Sequence, residues 1–381
     1  MDMFTGIEMA AKVGLIVFVM LQVVPMMVWI ERRGSALMQN RRGPNRVGPL
    51  GLFQSLADVV KFIFKEDMVP EHCDKFYYIL APAVVLLPAF MTFAVVPFGG
   101  DITIAGHVVH LQVADLNVGF LYILSIGSLG VYGIIMAGWS SNNKYSLLGS
   151  LRSSAQMISY ELSMGLSLVG IVMIYSSFEL REIVFRQTYP LMASAPGILA
   201  HIPKWGFFVQ PVGFIIFLSS VYAETNRLPF DLPEGESEIV AGYHLEFGSM
   251  RFALFFMAEY LNMVTASALL TTLYFGGYSF PGLHIAAEAF TPLVARASEI
   301  ASSLMPFVPT LANPDQWARA ILEVAVFSAK VGFFMWLFVW VRWTLPRFRY
   351  DQLMDLGWKV FLPLSIANIA VTGVLIYLGV I

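Results

Sequence analysis

The chain of 381 residues is 57% apolar and only 13% charged, where a soluble domain carries about 25% charged residues, so it reads as a polytopic membrane protein. A net charge of −3 offers no basic surface for nucleic acid. Cys73 is the only cysteine, which excludes a disulfide, a thiolate-held zinc and an iron–sulfur cluster on this chain.

Apolar runs near the roughly 20 residues needed to cross a bilayer fall at about 12–30, 77–97, 118–139, 154–176, 206–223, 252–275, 319–342 and 358–380. The expected fold is an all-α membrane protein: one polytopic domain over 1–381 with eight transmembrane helices and an amphipathic interfacial helix at about 50–65. All six histidines lie outside these spans, which argues against an intramembrane bis-histidine haem. The first span does not read as a cleaved signal, because Asp2 and Glu8 precede it and the positive flank follows it. Sixteen Lys/Arg residues lie in 31–76, 140–153, 224–251 and 342–359, against six on the opposite side (Lys12, Arg181, Arg186, Lys204, Arg296 and Arg319). That asymmetry places 31–76 and 224–251 inside and both termini outside.

In chain order, the first informative stretch is 31–67. Its basic first half holds Gly43-Pro44-Asn45 and Gly48-Pro49, the chemistry of an ordered turn. From 50 to 65, Gln54, Asp58, Lys61 and Lys65 form one narrow polar stripe on an otherwise apolar helix. Such a helix suits the membrane interface, or the roof of a cavity between membrane helices. An ordinary amphipathic surface helix fits as well, with Asp58 and Lys61 pairing locally. Further on, His107 and His110 stand at i, i+3 without a third ligand nearby. Glu161 lies two turns into the fourth span, roughly 10 Å deep at 1.5 Å per residue, where a carboxylate usually faces a partner or a proton path.

Between two apolar spans, Glu224 to Glu246 carries six carboxylates (Glu224, Asp231, Glu234, Glu236, Glu238, Glu246) against Arg227 alone. A solvated loop is the bland reading. Against it, Pro229 and Pro233 stiffen the segment, and alternation of Glu234, Glu236 and Glu238 prevents one helical face from hiding all three. Glu259 then lies inside the next apolar span, where a carboxylate must be paired or titrating. Arg227, three residues after Glu224, is the expected local counter-ion. The piece 286–304 is amphipathic and expected on the outer surface. Lys330 and Glu323 are seven residues apart in the seventh span, about 10 Å along the axis, so each needs a partner elsewhere; buried ion pairing and transport remain equal readings.

These residues resemble the two signature regions of the quinone-site membrane subunit of respiratory complex I, the NADH:quinone oxidoreductase. The first is Glu31-Arg32, Gln39, Arg41, Gly43-Pro44-Asn45, Val47-Gly48-Pro49, Gly51-Leu52, Gln54, Ala57-Asp58 and Lys61. The second is AETNR-x-PFDL-x-EGESE over 223–238, followed by FALFFMAEY over 252–260, with Ser159-Tyr160-Glu161 between the two regions. The resemblance extends over most of the chain but not over 98–117 and 280–318, which favours a bacterial source over an organellar one. It implies a multi-pass subunit of the bacterial inner (plasma) membrane, or of the mitochondrial inner membrane if organellar, with both termini on the periplasmic side. It implies that this chain binds no cofactor, that quinone is the substrate, and that FMN and Fe–S clusters sit on partner subunits.

By the same resemblance, Arg32, Arg41, Asp58, Lys61 and Phe230 would line or brace the quinone passage. Glu224, Asp231, Glu234, Glu236 and Glu238 would form an acidic funnel beneath it, with Arg227 among the proton-coupling residues as its counter-ion. Glu161, Glu246 and Glu259 would lead protons, or an electrostatic signal, toward antiporter-like membrane subunits. The expected partners are soluble quinone-reducing subunits carrying the terminal Fe–S cluster, other membrane subunits and the bilayer. Two rivals stand beside this reading: the equivalent coupling subunit of a membrane-bound hydrogenase or other-donor dehydrogenase, and a stand-alone ion-coupled secondary transporter.

Overall fold

A bilayer gives backbone N–H and C=O groups no water to bond, so a chain this apolar crosses as helices. The structure, a computed structural model, describes residues 3–104, 106–191, 202–232, 235, 239–304 and 313–379. Helix α1 spans Met3–Met38 and a short 3₁₀ turn covers Pro49–Gly51. The expected interfacial helix is α2, Gln54–Phe64, followed by α3, Lys75–Phe93. An antiparallel hairpin, β1 (Asp101–Ile104) with β2 (His107–His110), pairs Asp101 opposite His110, a small departure from an all-helical fold.

The expected third span is two helices, α4 (Gly119–Gly127) and α5 (Leu129–Ser140), meeting at Ser128. Next come α6 (Lys144–Tyr175) and the short α7 (Leu180–Gln187). The run expected as a single fifth helix is broken at Gln210 into α8 (Gly206–Val209) and α9 (Pro211–Glu224). Pro211 lacks an N–H and disfavours helix in the residue before it, so Gln210 takes a non-helical conformation. The polar break is satisfied inside the protein: Gln210 donates to Thr372 at 2.5 Å and accepts from Asn368 at 2.7 Å.

Helix α10 is Ser249–Tyr274, α11 is Leu283–Leu304 and α12 is Pro314–Thr344. A last run combines α13 (Tyr350–Asp355), a π-helical turn (Leu356–Phe361) and α14 (Leu362–Tyr377). Among the described residues, seven spans are long and apolar enough to cross a membrane, and α9 is a shorter apolar helix. The bundle has two ends. One, the acidic end, gathers 31–76, the α5–α6 turn, 225–232, 239–248 and 342–361. The other, the hairpin end, gathers β1–β2, α7, the 275–282 turn and the start of α12.

Helix α10 is the central post, with 72% of its most apolar stretch buried, whereas α1 at 11% stands at the rim. Its small and hydroxylated residues permit this. Ser267, Thr271 and Thr272 return their hydroxyls to the carbonyls of Met263, Ser267 and Ala268 at 2.8–2.9 Å, so these hydroxyls are satisfied within the helix. Glycines set the closest approaches elsewhere. A Cβ on Gly133 of α5 would lie 2.4 Å from the Val85 side chain and 2.9 Å from its backbone nitrogen.

Gly133→Ala is therefore expected to force α3 and α5 apart at a cost of about 1–3 kcal/mol. Gly332→Ala on α12, where a Cβ meets nothing within 4 Å, is the control and leaves stability unchanged or slightly raised. Thermal unfolding of the two purified variants checks the pair.

Candidate functional site

A membrane-embedded carboxylate is tolerated when it is paired, and at the acidic end three helices and a loop each bring a partner. Glu31, from the last third of α1, accepts from Tyr260 of α10 at 2.7 Å and is ion-paired to Arg342 near the end of α12. Arg227, on the loop leaving α9, lies 4.0 Å from Glu31 and 3.7 Å from Glu259 of α10, with its guanidinium 4.4 Å above the Tyr260 ring. Glu259 in turn accepts from Tyr243 at 3.0 Å. Arg227 is only 4% exposed and Glu31 and Glu259 each 7%, so the stretch Glu31–Arg227–Glu259–Tyr243 is buried, while Arg342 at its end is half-buried.

The loop that holds Arg227 folds tightly back on the bundle. Asn226 takes a positive φ of 50°, a conformation asparagine tolerates better than most residues. Gln156 of α6 donates to the carbonyls of Ala223 and Phe230 at 2.7 Å each. Phe348 donates its N–H to Pro229 at 3.1 Å, and Asp231 takes a 2.9 Å bond from Arg347. Thus residues 225–232 of this loop are packed protein and not a solvated connection. Arg227 turns to Glu31 and Glu259, not to Glu224 as local spacing led one to expect. Pro233, Glu234, Glu236 and Glu238 lie outside the described residues.

Glu224, at the end of α9, borders an internal cavity of about 70 Å³. Glu259, Tyr243, Asn226, Asn262 and Thr265 border the same space. That volume is several times the roughly 10–15 Å³ one water occupies, and the polar groups can bind water there. Glu161 of α6 accepts a hydrogen bond from Ser128, the hinge residue between α4 and α5. It is close enough to Glu224 for the two charges to repel. Three of the sequence-predicted carboxylates therefore meet in the membrane part of the acidic end. Glu246 stands apart: Asn143 donates to its carboxylate at 2.6 Å, and Tyr78 to its carbonyl at 2.7 Å.

The predicted passage residues divide. Asp58 of α2 binds Arg32 of α1 at 2.6 Å, with Lys61 at 3.5 Å and Gln54 donating at 3.3 Å, so the polar stripe of α2 docks on α1. Burial acts to raise the Asp58 carboxyl, but its bonds to Arg32 and Gln54 and the charges of Arg32 and Lys61 outweigh that and hold it below its ordinary 3.8. The turn before α2 is shaped by Gly51, whose φ of 73° leaves no room for a Cβ, which would meet the Pro44 carbonyl at 2.3 Å. Trp29 and Arg33 both donate to the Leu50 carbonyl at 3.1 Å, fixing this turn to α1. Arg41 bonds Gln39 and Ser35 nearby, on an exposed surface. Phe230 is buried between Tyr160 and Phe348, at 5.5 Å from each ring.

Sequence reasoning missed Glu31, Tyr260, Tyr243, Arg342 and Arg347. Glu31 ends the first apolar run and Tyr260 adjoins Glu259, so a search for polar groups at span ends would have found those two. The remainder are brought in by loops and by α12. At the hairpin end, His110 sits 2.6 Å from Asp101 and 2.7 Å from an Arg181 nitrogen, and Asp101 also pairs with Arg181. Among the described residues, no group of three His, Cys, Asp or Glu side chains could hold a metal ion.

A family model described as NADH dehydrogenase matches residues 11–373. The chain is 46% identical to the H subunit of the NADH-quinone oxidoreductase of Bdellovibrio bacteriovorus, covering 99% of this chain and 98% of that one. It is 48% identical to the H subunit numbered 2 of the NADH-quinone oxidoreductase of Koribacter versatilis, with 96% of each chain covered. Against the H subunit numbered 1 of the same enzyme in Geobacter metallireducens it is 47% identical, over 95% of this chain and 94% of the relative.

Arg227→Leu would remove the cation shared by Glu31 and Glu259, leaving Glu31 only Arg342, and is expected to cost about 3–5 kcal/mol. Arg227→Leu/Glu259→Gln should regain part of that loss, read as coupling in a double-mutant thermal-unfolding cycle. Since the Asp58 carboxyl is depressed, its tie to Arg32 contributes stability at every pH above 3.8 and loses it only as pH falls below that value. Acid titration followed by proteolysis of the α1–α2 turn is expected to show this step, and Asp58→Asn to abolish it.

Proposed function

The chain belongs to the NADH dehydrogenase family and is a membrane subunit of an NADH-quinone oxidoreductase, and from that premise we propose that its acidic end couples quinone reduction to proton translocation. In this reading the chain forms one polytopic domain that crosses the membrane eight times, with α8 and α9 together as the fifth crossing. The acidic end faces the cytoplasm and both termini the periplasm of a bacterial inner membrane. The Lys/Arg asymmetry supports that orientation.

Quinone is lipid-soluble, so its passage must open to the bilayer, and its reduction takes up protons. The docked pair α1 and α2, with Arg32, Asp58 and Lys61 at their contact, frames one wall of that passage. Glu234, Glu236 and Glu238 contribute the acidic funnel beneath it. The observation that carries the coupling role is the shared cavity of Glu224 and Glu259, with Glu161 beside it and Arg227 tying Glu259 to Glu31. Carboxylates this close share protons, because like charges oppose simultaneous ionisation. A new charge at the quinone thus shifts the protonation of the whole set, and water in the cavity carries the proton onward. Soluble partners supply FMN and the Fe–S clusters, and antiporter-like subunits receive the signal.

The hydrogenase and transporter readings lose ground to the relatives, which are NADH-quinone oxidoreductase subunits over nearly the full chain. Glu224→Gln is expected to assemble and to oxidise NADH normally with an artificial acceptor, while quinone-coupled proton uptake falls roughly tenfold, about 1.4 kcal/mol in the coupled barrier. Glu234→Gln/Glu236→Gln should behave alike. Full coupled activity in both assembled variants would remove the proposed role, and copurification of this chain with hydrogenase subunits would replace it.

A further inference from the structure

The hairpin end of α10 closes on a cation. Lys330, well inside α12, points its ammonium at the carbonyls of Phe275, Gly277 and Ser279, at 2.7, 2.9 and 2.7 Å. The Trp205 ring covers it from 5.0 Å. An ammonium has three N–H donors, and all three are engaged. The three carbonyls belong to the turn that ends α10, where Gly276 and Gly277 take positive φ values of 72° and 56°. A helix C-terminus carries partial negative charge and unpaired carbonyls, so it attracts a cation. Gln187 of α7 completes the socket. Its amide donates to Thr272 at 2.8 Å, and its oxygen accepts from Gly276 at 2.9 Å and Gly206 at 3.3 Å.

We propose that Lys330 is a fixed structural cation, a carbonyl-caged ammonium that anchors the hairpin end of α10, and that it carries no proton during turnover. Its contacts explain both halves of the claim. Backbone carbonyls and an aromatic face do not exchange protons, so the cage offers Lys330 no relay neighbour. A neutral amine would keep two N–H donors and turn a lone pair toward a carbonyl oxygen, losing one of the three bonds. Glu323, about 10 Å away along the helix, is held by the Gly100 N–H at 2.6 Å and by Arg319 at 2.9 Å. The anchored helix is the one that carries Glu259 and Tyr260, about 22 Å closer to the acidic end. Lys330 thus fixes the far end of the helix that carries the proposed coupling residues and takes no part in their proton exchange, and this part of the inference rests on that reading.

The test is made in the whole oxidoreductase complex, with three readouts: melting temperature, protons moved per electron, and quinone turnover. Lys330→Met removes the charge at nearly constant shape. The expected result is a melting temperature lower by several degrees and less assembled complex, with protons per electron in the assembled fraction equal to the parent's. Lys330→Ala leaves a hole that n-propylammonium fits, and n-propylammonium but not n-propanol is expected to raise its melting temperature. If Lys330→Met fails to assemble, assembly of Lys330→Ala with n-propylammonium present decides instead; recovery supports the anchor and no recovery overturns it. Protons per electron below half the parent value in assembled Lys330→Met would make Lys330 a carrier and overturn the proposal. An unchanged melting temperature would overturn the anchor. Loss of pumping in the parent complex itself would refute the coupling function while leaving the melting arm valid.

Discussion

One guanidinium shared by two buried carboxylates holds the acidic end together. Arg227 bridges Glu31 of α1 and Glu259 of α10 with its face on Tyr260. Removing Arg227 takes the shared cation from both carboxylates in a medium that cannot solvate them, leaving Glu31 only Arg342. The loop after α9 must therefore fold back into the bundle. Gln156, Phe348 and Arg347 hold it there through the Ala223 and Phe230 carbonyls, the Pro229 carbonyl and the Asp231 carboxylate. A segment that composition alone would assign to solvent becomes part of the protein interior.

The two ends of α10 are built on different principles. At the hairpin end, Lys330 and Gln187 direct their bonding capacity to backbone groups, which have one protonation state. At the acidic end the partners are carboxylates and phenols, which can exchange protons, and a cavity lies against two of those carboxylates. The helix is thus bonded at one end to backbone groups and surrounded at the other by carboxylates and phenols. The breaks in neighbouring helices follow the same pattern. Ser128 uses the α4–α5 junction to reach Glu161, whereas Gln210 uses the α8–α9 break to bind neutral Thr372 and Asn368.

Much of the local structure was legible in the sequence because it depends on near neighbours. The amphipathic stripe of Gln54, Asp58 and Lys61 led to α2 with close boundaries, and Pro229 led to a segment held off helix. Glu161 and Glu259 stood out simply as charges within apolar runs. The break at Gln210 carried a signal too, the proline after it, but an apolar run masks a break when only hydropathy is read. The packing of Phe230 between Tyr160 and Phe348 was not legible, because a motif position says nothing about which way a ring packs. The pairing of Arg227 with Glu224 was misjudged because i, i+3 spacing brings side chains together only while the helix continues, and α9 ends at Glu224.

By itself, then, the amino-acid sequence determined the membrane class, the approximate spans, the docking helix and the positions of the expensive charges. All of these follow from hydropathy and short-range periodicity. Only the tertiary structure decided the partners: Glu31 with Arg342, residues 311 positions apart in the chain; Glu259 with Arg227; Lys330 with the end of α10. The physical reason is that lipid penalises an unpaired charge without specifying its partner. The partner is chosen by helix packing, through small-residue contacts such as Gly133 against Val85, and such contacts join residues far apart in the chain.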